Sequence, residues 1–170
     1  MTWSPVSLSS LPRYPRLFID ALGKVLYANA YFRSIDGGKT WTSCKANIET
    51  TIADQVIAID PRDSNHVFAA TYQKGDMYVM SSTDGCQSWR PLLGLGYKYV
   101  NSLAIDPNNP DLIYVATDTG GLFSYDSGGY GAPINEGLLG NLVVYSIAIN
   151  PQSGVYAATP FGIFKLETKK

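Results

Sequence analysis

Short apolar runs and polar turns alternate along the whole chain, in three close copies of one unit and a fourth, looser one. In each close copy an apolar run ends at Asp-Pro or Asn-Pro, a polar turn follows, and a second apolar run ends at Ala-Thr. The turn residues Asp60, Asp106 and Asn150 are 46 and 44 residues apart. Self-similarity at a regular spacing indicates a repeat architecture. The copies are VIAIDPRDSNHVFAAT (56–71), SLAIDPNNPDLIYVAT (102–117), SIAINPQSGVYAAT (146–159) and RLFIDALGKVLYANA (16–30).

Each unit predicts four β-strands. A third strand follows the second apolar run, as in MYVMSSTDG and GLFSYDSGG, and a fourth begins at TWTSCKA or SWRPLLG. Short runs rich in Val, Ile, Tyr and Phe, bounded by Gly, Pro, Asp and Asn, are typical of strands rather than helices. Four strands in about 44 residues is the size of one β-propeller blade. The sequence therefore predicts an all-β fold with blades at 14–47, 55–94, 100–138 and 143–168, and a closing strand at 1–10.

The stretch SIDGGKTW (34–41) contains the Gly-Lys-Thr of a phosphate-binding loop. That loop also needs a glycine five residues before Gly38, where this chain has Arg33. The segment after Thr40 favours extended structure, whereas a phosphate loop opens a helix. The stretch is therefore interpreted as a turn, and nucleotide binding is not expected.

The same turn recurs as SSTDGCQSW (81–89) and, in a degenerate form, as SYDSGGYG (124–131). The three copies resemble the Asp-box, or bacterial neuraminidase repeat, S-x-D-x-G-x-T-W, with Cys86 in the glycine position of the second copy. We expect the Asp carboxylates to accept backbone N–H bonds, and each Trp to pack against a neighbouring sheet. These roles are structural, not catalytic or metal-binding. The residues of the three turns are Ser34, Asp36, Gly38, Thr40, Trp41, Ser82, Asp84, Trp89, Ser124, Asp126 and Gly128.

The Asp-box together with AIDP, the Ala-Thr ending and GGLF resembles the propellers of sortilin-type receptors, xyloglucan-hydrolysing glycosidases and photosystem II assembly factors. The resemblance covers almost the whole chain and implies a β-propeller. It implies little about function, because propeller functions are carried by loops on a common frame. In these families the Asp-boxes generally lie on the face opposite the ligand site.

Composition narrows the class of function. The chain has 170 residues, 45% of them hydrophobic and 16% charged, which suits one β-rich domain with its own core. A net charge of −1 argues against nucleic-acid binding. Cys44 and Cys86 are not in a C-x-x-C pair, so each is expected to be a buried or half-buried thiol, and neither a metal nor a cofactor is expected. No signal peptide or membrane span is visible, so a soluble protein without an export signal is expected, its compartment left open.

The two ends of the chain complement each other. The last unit stops after three strands, whereas the chain begins with MTWSPVSL, which has the form of a fourth strand. Trp3–Leu8 is therefore expected to pair with Gly162–Leu166. Pairing within one chain gives a four-bladed ring, and pairing between two chains gives an eight-bladed homodimer. A piece of a longer protein is the third alternative.

Counting strands puts the Asp-box turns on one face and the remaining loops on the other. The loops of the second face are rich in tyrosine, which offers a large contact area with few torsions to fix. This face is expected to bind a protein or glycan partner, without nucleic-acid binding or membrane insertion. The candidate binding residues are Tyr14, Tyr31, Tyr72, Lys74, Asp76, Tyr97, Lys98, Tyr99, Asp118 and Phe161.

Catalysis is the alternative. A sialidase needs three converging arginines, which the expected positions of the arginines do not provide, and His66 has no expected Ser or Cys partner. A pair of carboxylic acids among Asp54, Asp76 and Asp118 could serve a glycoside hydrolase. Because the loops are short, we predict a non-catalytic binding or assembly module, with a fragment of a carbohydrate-active enzyme as the alternative.

Overall fold

The computed structural model describes Thr2 and residues 16–44, 56–73, 75–96, 98–138, 140 and 142–167. Fifteen strands account for the regular structure of these residues, and none of the described segments forms a helix able to span a membrane. The strands are β1 (Leu17–Ile19), β2 (Leu26–Ala28), β3 (Phe32–Ser34), β4 (Thr42–Ser43), β5 (Ile57–Asp60), β6 (Asp63–Gln73), β7 (Asp76–Ser82), β8 (Arg90–Gly96), β9 (Val100–Ile105), β10 (Leu112–Thr117), β11 (Leu122–Asp126), β12 (Gly131–Pro133), β13 (Ser146–Asn150), β14 (Gly154–Thr159) and β15 (Gly162–Lys165).

The strands form four antiparallel sheets in chain order. Sheet 1 is β1–β4, sheet 2 is β5–β8, sheet 3 is β9–β12 and sheet 4 is β13–β15. Within each sheet, every strand pairs with the next one along the chain, as short polar turns favour. Sheet 4 has three strands among the described residues. The predicted partner of β15, Trp3–Leu8, lies outside them.

The first strands of successive sheets lie side by side, β1 next to β5, β5 next to β9 and β9 next to β13. The hydrophobic core therefore consists of three layers, one between each pair of neighbouring sheets. Because the inner sheets are covered on both faces, successive residues of one strand are buried on opposite sides. In β6, Val67 packs towards sheet 1 and Phe68 towards sheet 3. This explains why the second strand of each unit is a continuous apolar run.

The prediction of two free thiols is wrong. Cys44 and Cys86 form a disulfide, with their Cα atoms 5.1 Å apart and both residues buried. Cys44 follows β4 in sheet 1, and Cys86 lies in the turn between β7 and β8 of sheet 2. The two residues are 42 positions apart and meet only because the sheets stand side by side. The bond therefore links the first two sheets covalently.

The turns between first and second strands also connect neighbouring sheets. Ser64 Oγ donates to Asp20 Oδ2 at 2.7 Å, which joins sheet 2 to sheet 1. Arg62 Nη2 donates to Asp111 Oδ1 at 3.2 Å between sheets 2 and 3. The third link, between sheets 3 and 4, is donated by Asn108 Nδ2 to the Pro151 carbonyl at 2.7 Å. Each pair of neighbouring sheets is therefore linked by a polar contact as well as by its apolar layer.

Candidate interaction face

The up-and-down order of the strands gives the molecule two faces. The turns between first and second strands and between third and fourth strands lie on one face, here called the Asp-turn face. The turns between second and third strands and the connections between sheets lie on the other, here called the loop face. Among the described residues, those predicted to stabilise the turns and those predicted to bind a partner are thus on opposite faces.

The first Asp-turn is closed by its own side chains. Ser34 Oγ donates to Asp36 Oδ1 at 2.8 Å and accepts the Gly38 N–H at 2.9 Å. Asp36 also accepts the Thr40 N–H at 2.9 Å and the Thr40 hydroxyl at 2.6 Å. The hydrogen bonds from Thr40, followed by that from Ser34, lower the pKa of Asp36 to about 2. Trp41 Nε1 donates to the Gly38 carbonyl at 3.0 Å.

The second turn repeats this network. Ser82 Oγ donates to Asp84 Oδ1 at 2.8 Å, and Asp84 accepts both the N–H and the hydroxyl of Ser88, at 2.9 and 2.6 Å. The bonds from Ser88 lower the pKa of Asp84 to about 2. Cys86 takes the position of the glycine and has a φ of +70°.

The third turn retains less of the network. Asp126 accepts the N–H groups of Gly128 and Tyr130, each at 2.9 Å. Asp36, Asp84 and Asp126 all direct carboxylate oxygens at groups of their own turn. These hydrogen bonds stabilise the three turns.

The sequence-based expectation that His66 lacks a serine partner is also wrong. His66 Nδ1 lies 3.0 Å from Asp60 Oδ2, and His66 Nε2 lies 3.4 Å from Ser81 Oγ. The order Ser–His–Asp is that of a hydrolase triad. Ser81, however, is only 1% exposed, and Arg62 donates two side-chain hydrogen bonds to Asp60, at 3.1 and 2.9 Å. A substrate cannot reach a serine buried in this way, so the cluster ties the turn between β5 and β6 to strands β6 and β7.

On the loop face, Tyr72 and Tyr99 form an aromatic pair across the boundary between sheets 2 and 3. Their ring centroids are 6.3 Å apart and the ring planes differ by 11°. Tyr72 lies near the end of β6, where the β6–β7 hairpin extends beyond its counterparts in sheets 3 and 4. Tyr99 lies in the connection between β8 and β9 and is 49% exposed. The pair presents part of an aromatic surface to solvent.

Asp118 holds the Tyr99 segment in place. The Tyr99 N–H donates to Asp118 Oδ1 at 2.9 Å, and the Asp118 N–H donates to the Tyr99 carbonyl at 3.1 Å. Lys98 lies against Gly120, since a side chain at that position would collide with the Lys98 methylenes. The connection between sheets 2 and 3 is therefore anchored to the β10–β11 turn by polar and steric contacts.

The sheet 4 end of the loop face carries two further exposed aromatic residues. Phe161, in the β14–β15 turn, covers Gly140, where any side chain would collide with its ring. Tyr145, which directly precedes β13, is exposed and was not among the binding residues predicted from the sequence. The signal was available, because Tyr145 precedes SIAIN much as GYKYVN precedes the equivalent SLAID run.

Two of the remaining predicted binding residues are described by the structure, and three are not. Tyr31 and Asp76, both half-buried, lie at the β2–β3 turn and at the start of β7, on the loop face. Tyr14, Lys74 and Tyr97 lie outside the described residues. Within the described part of the chain, no group of three or more His, Cys, Asp or Glu side chains could hold a metal ion.

No protein-family model matches the sequence, and no curated protein matches it. Solved structures do match. The chain is similar to a GH74 enzyme from Niastella koreensis, with a TM-score of 0.66 at 16% identity over 95% of this chain and 30% of that one. It is also similar to a chain of the nidogen/laminin complex (TM-score 0.63, 15% identity, 85% and 55% coverage) and to YCF48 bound to a D1 peptide (0.51, 18%, 88% and 46%).

The fold is a β-propeller with four blades. Sheets 1 to 4 are these blades, which confirms the predicted all-β class. The chain spans between 22% and 55% of the length of the solved chains it matches. Because every identity is below 20%, the similarity concerns the fold alone.

Proposed function

We propose that this protein is a non-catalytic binding module whose loop face contacts a protein or glycan partner, and that its Asp-turns are structural Asp-boxes. The observation that carries the proposal is the Tyr72–Tyr99 pair, which is partly exposed to solvent. Asp118 holds Tyr99 in place, because its carboxylate accepts the Tyr99 N–H. A supported aromatic surface binds with little loss of conformational freedom, because its side chains are already ordered.

The chemistry of this face suits stacking contacts. Tyr99, Tyr145 and Phe161 are exposed aromatic residues distributed over the loop face from sheet 3 to sheet 4. Aromatic rings contact sugar rings and peptide side chains through their apolar faces, while the tyrosine hydroxyls remain available for hydrogen bonds. Lys98 adds a positive charge beside Tyr99. An open aromatic surface of this kind supports binding of an extended partner rather than enclosure of a small substrate.

The alternative, a fragment of a glycoside hydrolase, takes its support from the GH74 neighbours. A paired-carboxylate mechanism needs two acids whose oxygens reach a glycosidic bond. Of the three candidate acids, Asp54 lies outside the described residues. Asp118 Oδ1 already accepts the Tyr99 N–H at 2.9 Å and the Thr119 hydroxyl at 3.2 Å. This engagement favours a supporting role for Asp118 and hence the binding proposal.

The proposal is tested with two probe sets, an array of short synthetic peptides and an array of oligosaccharides that includes xyloglucan fragments. Probes retained by the wild-type chain are measured again with the double variant Tyr72→Ala/Tyr99→Ala. The matched control is Tyr130→Ala, because Tyr130 is a tyrosine of the Asp-turn face that is 81% exposed.

We expect the double variant to lose at least about tenfold in affinity, as removal of a central aromatic contact does, and Tyr130→Ala to bind as the wild type does. Probes that respond to Tyr130→Ala and ignore the double variant would place the site on the Asp-turn face. Turnover of a retained oligosaccharide that is lost in Asp118→Asn or Asp76→Asn would favour the hydrolase instead.

A further inference from the structure

The Cys44–Cys86 disulfide lies at a contact that recurs between neighbouring sheets. Cys44 directly follows β4 of sheet 1, and Cys86 lies in the Asp-turn of sheet 2. Strand register makes Leu92 of sheet 2 the equivalent of Cys44. A side chain at Gly129, in the Asp-turn of sheet 3, would collide with the Leu92 carbonyl. The two cysteines therefore make covalent, between sheets 1 and 2, a close contact that is not covalent between sheets 2 and 3.

Cys86 has a backbone conformation that favours glycine. Its φ of +70° is close to the +87° of Gly38, which holds the same place in the first turn. A cysteine is costly here, because its Cβ crowds the backbone when φ is positive. The Cα atoms of the two cysteines are 5.1 Å apart, a separation typical of disulfides. Cys86 is therefore explained by its bond to Cys44 and not by the needs of the turn.

Both cysteines lie inside the packed layer between sheets 1 and 2. Cys44 is 5% exposed and Cys86 is completely buried, in one apolar cluster with Tyr27 and Trp89. Thiol–disulfide exchange requires a thiolate to reach a sulfur atom. A disulfide donor can therefore reach the two thiols only while the two sheets are apart, and a reductant is excluded once they have packed.

Sheet 1 has the shortest strands of the four sheets. Its strands are two or three residues long, whereas those of sheet 2 have four to eleven residues. Short strands form few ladder hydrogen bonds and have little stability of their own. Single hydrogen bonds also cross the interface, among them the one that the Tyr27 hydroxyl donates to the Ser64 carbonyl at 2.7 Å. The attachment of sheet 1 to sheet 2 should therefore depend strongly on the covalent bond.

We propose that the Cys44–Cys86 bond is installed in the unpacked chain by a disulfide donor, and that the protein therefore matures in an oxidising compartment. The donor is the disulfide of a thiol oxidoreductase or of oxidised glutathione. Glutathione and thioredoxin keep thiols reduced in the cytosol, so the bond persists where that reducing pool is absent. This inference concerns the compartment, which the sequence leaves open, and it does not depend on the loop face.

The exchange proceeds in two steps. The thiolate of one cysteine attacks a sulfur atom of the donor disulfide, which forms a mixed disulfide and releases one donor thiolate. The thiolate of the other cysteine then attacks the cysteine sulfur of the mixed disulfide, which forms the Cys44–Cys86 bond and releases the second donor thiolate. The two cysteines lose two electrons and two protons, and the two donor thiols take them up.

Refolding of the reduced, urea-unfolded chain tests the need for a donor. The chain is refolded in a mixture of reduced and oxidised glutathione or in dithiothreitol, and urea unfolding then measures its stability. At the midpoint of the glutathione sample, the folded-to-unfolded ratio in dithiothreitol should be at least about tenfold lower. Once formed, the bond should be reduced at least about tenfold more slowly in the native chain than in urea. Equal stability in both buffers, or equally fast reduction with and without urea, would contradict the proposal.

The double variant Cys44→Ala/Cys86→Gly is the matched control. It lacks both thiols and gives the second turn the glycine that Gly38 provides in the first. Its stability should be the same in both buffers, which shows that the response of the wild type comes from the bond. A variant as sensitive to dithiothreitol as the wild type would trace the effect to the reagent and sink the proposal.

Production of the full chain in two kinds of bacterial cytoplasm tests the compartment. One strain keeps its thiol-reducing systems and the other lacks them, and thiols are blocked with N-ethylmaleimide before the cells are opened. Mass spectrometry should find no blocked cysteine in the chain from the oxidising strain, and two in a less stable chain from the reducing strain. The Cys44→Ala/Cys86→Gly variant should be equally stable from both. A bond already present in the reducing strain, or a reduced chain as stable as the oxidised one, would overturn the proposal.

Discussion

Cys44 and Cys86 connect the end of β4 in sheet 1 to the Asp-turn of sheet 2 through a buried disulfide. Cys86 stands where Gly38 stands in the first turn, and both have a positive φ, +70° and +87°. A non-glycine residue is costly in this conformation. The covalent link to sheet 1 offsets that cost and fixes the first two blades relative to each other.

The disulfide predicts how the protein responds to reduction. Because it closes a loop of 42 residues, the double variant Cys44→Ser/Cys86→Ser should be about 2–4 kcal/mol less stable in urea unfolding. The native chain should show no thiol reactive towards a colorimetric reagent, and two after denaturation and reduction, since it contains two cysteines. Reactive thiols in the native, unreduced protein would contradict the bond.

The two tryptophans of the Asp-turns should differ in their contribution to stability. Trp89→Ala should cost about 3–5 kcal/mol, because the ring is buried between sheets 1 and 2. Trp41→Ala should cost clearly less, because the Trp41 ring is only half-buried. Urea unfolding measures both. An unchanged unfolding midpoint for Trp89→Ala would contradict the packing described for sheets 1 and 2.

The Asp-turns predict a loss of stability in acid. The pKa values of Asp36 and Asp84 fall from the ordinary 3.8 to about 2 in the folded protein. Their contribution is therefore fully present above about pH 4 and is lost as the pH falls through 2. The double variant Asp36→Asn/Asp84→Asn should be less stable at pH 7 and should lose less on acidification. Thermal unfolding between pH 7 and pH 2 measures this, and parallel curves for the two proteins would exclude the effect.

Asp118 should matter for binding more than for stability. Asp118→Ala removes the acceptor of the Tyr99 N–H but leaves the hydrophobic layers intact. We expect weaker binding of the probes retained on the arrays, with a change in melting temperature of only a few degrees. Asp126→Ala is the matched control on the Asp-turn face, where the same type of bond holds Tyr130. Equal effects of both variants on binding would argue against a loop-face site.

The N-terminal segment should be required for stability. Deleting residues 1–9 removes the strand predicted to pair with β15, so the remaining chain should become less stable and less soluble. Removing residues 168–170 is the control at the other terminus. If the chain lacking residues 1–9 keeps both its solubility and its melting temperature, the strand assignment is wrong.

Local sequence patterns were sufficient to predict the all-β class and the succession of strands within the described sheets. Turn residues such as Asp60-Pro61 and the apolar run ending at Ala70-Thr71 determine structure within one unit, where neighbours in sequence are neighbours in space. The opposite faces of the Asp-turns and the tyrosine-rich loops follow from the strand order alone.

The sequence could not predict contacts that depend on how separate strands or sheets are aligned. Cys44 and Cys86 belong to different blades, so their pairing requires the relative placement of two sheets. The short distance between His66 and Ser81 depends on how β6 is aligned with β7. The β6–β7 hairpin sets this register. The exposure of Leu17 likewise depends on what lies beside sheet 1, which the residues of that unit do not specify.

The central claim, that the loop face is the binding surface, is tested most directly by hydrogen exchange at two matched amides. The N–H groups of Tyr99 and Tyr130 each donate to an Asp Oδ1 at 2.9 Å, one on the loop face and one on the Asp-turn face. With the strongest-binding array peptide or oligosaccharide present at saturation, exchange at Tyr99 should slow by at least about tenfold and exchange at Tyr130 should stay the same. Slower exchange at Tyr130 with no change at Tyr99 would contradict the claim.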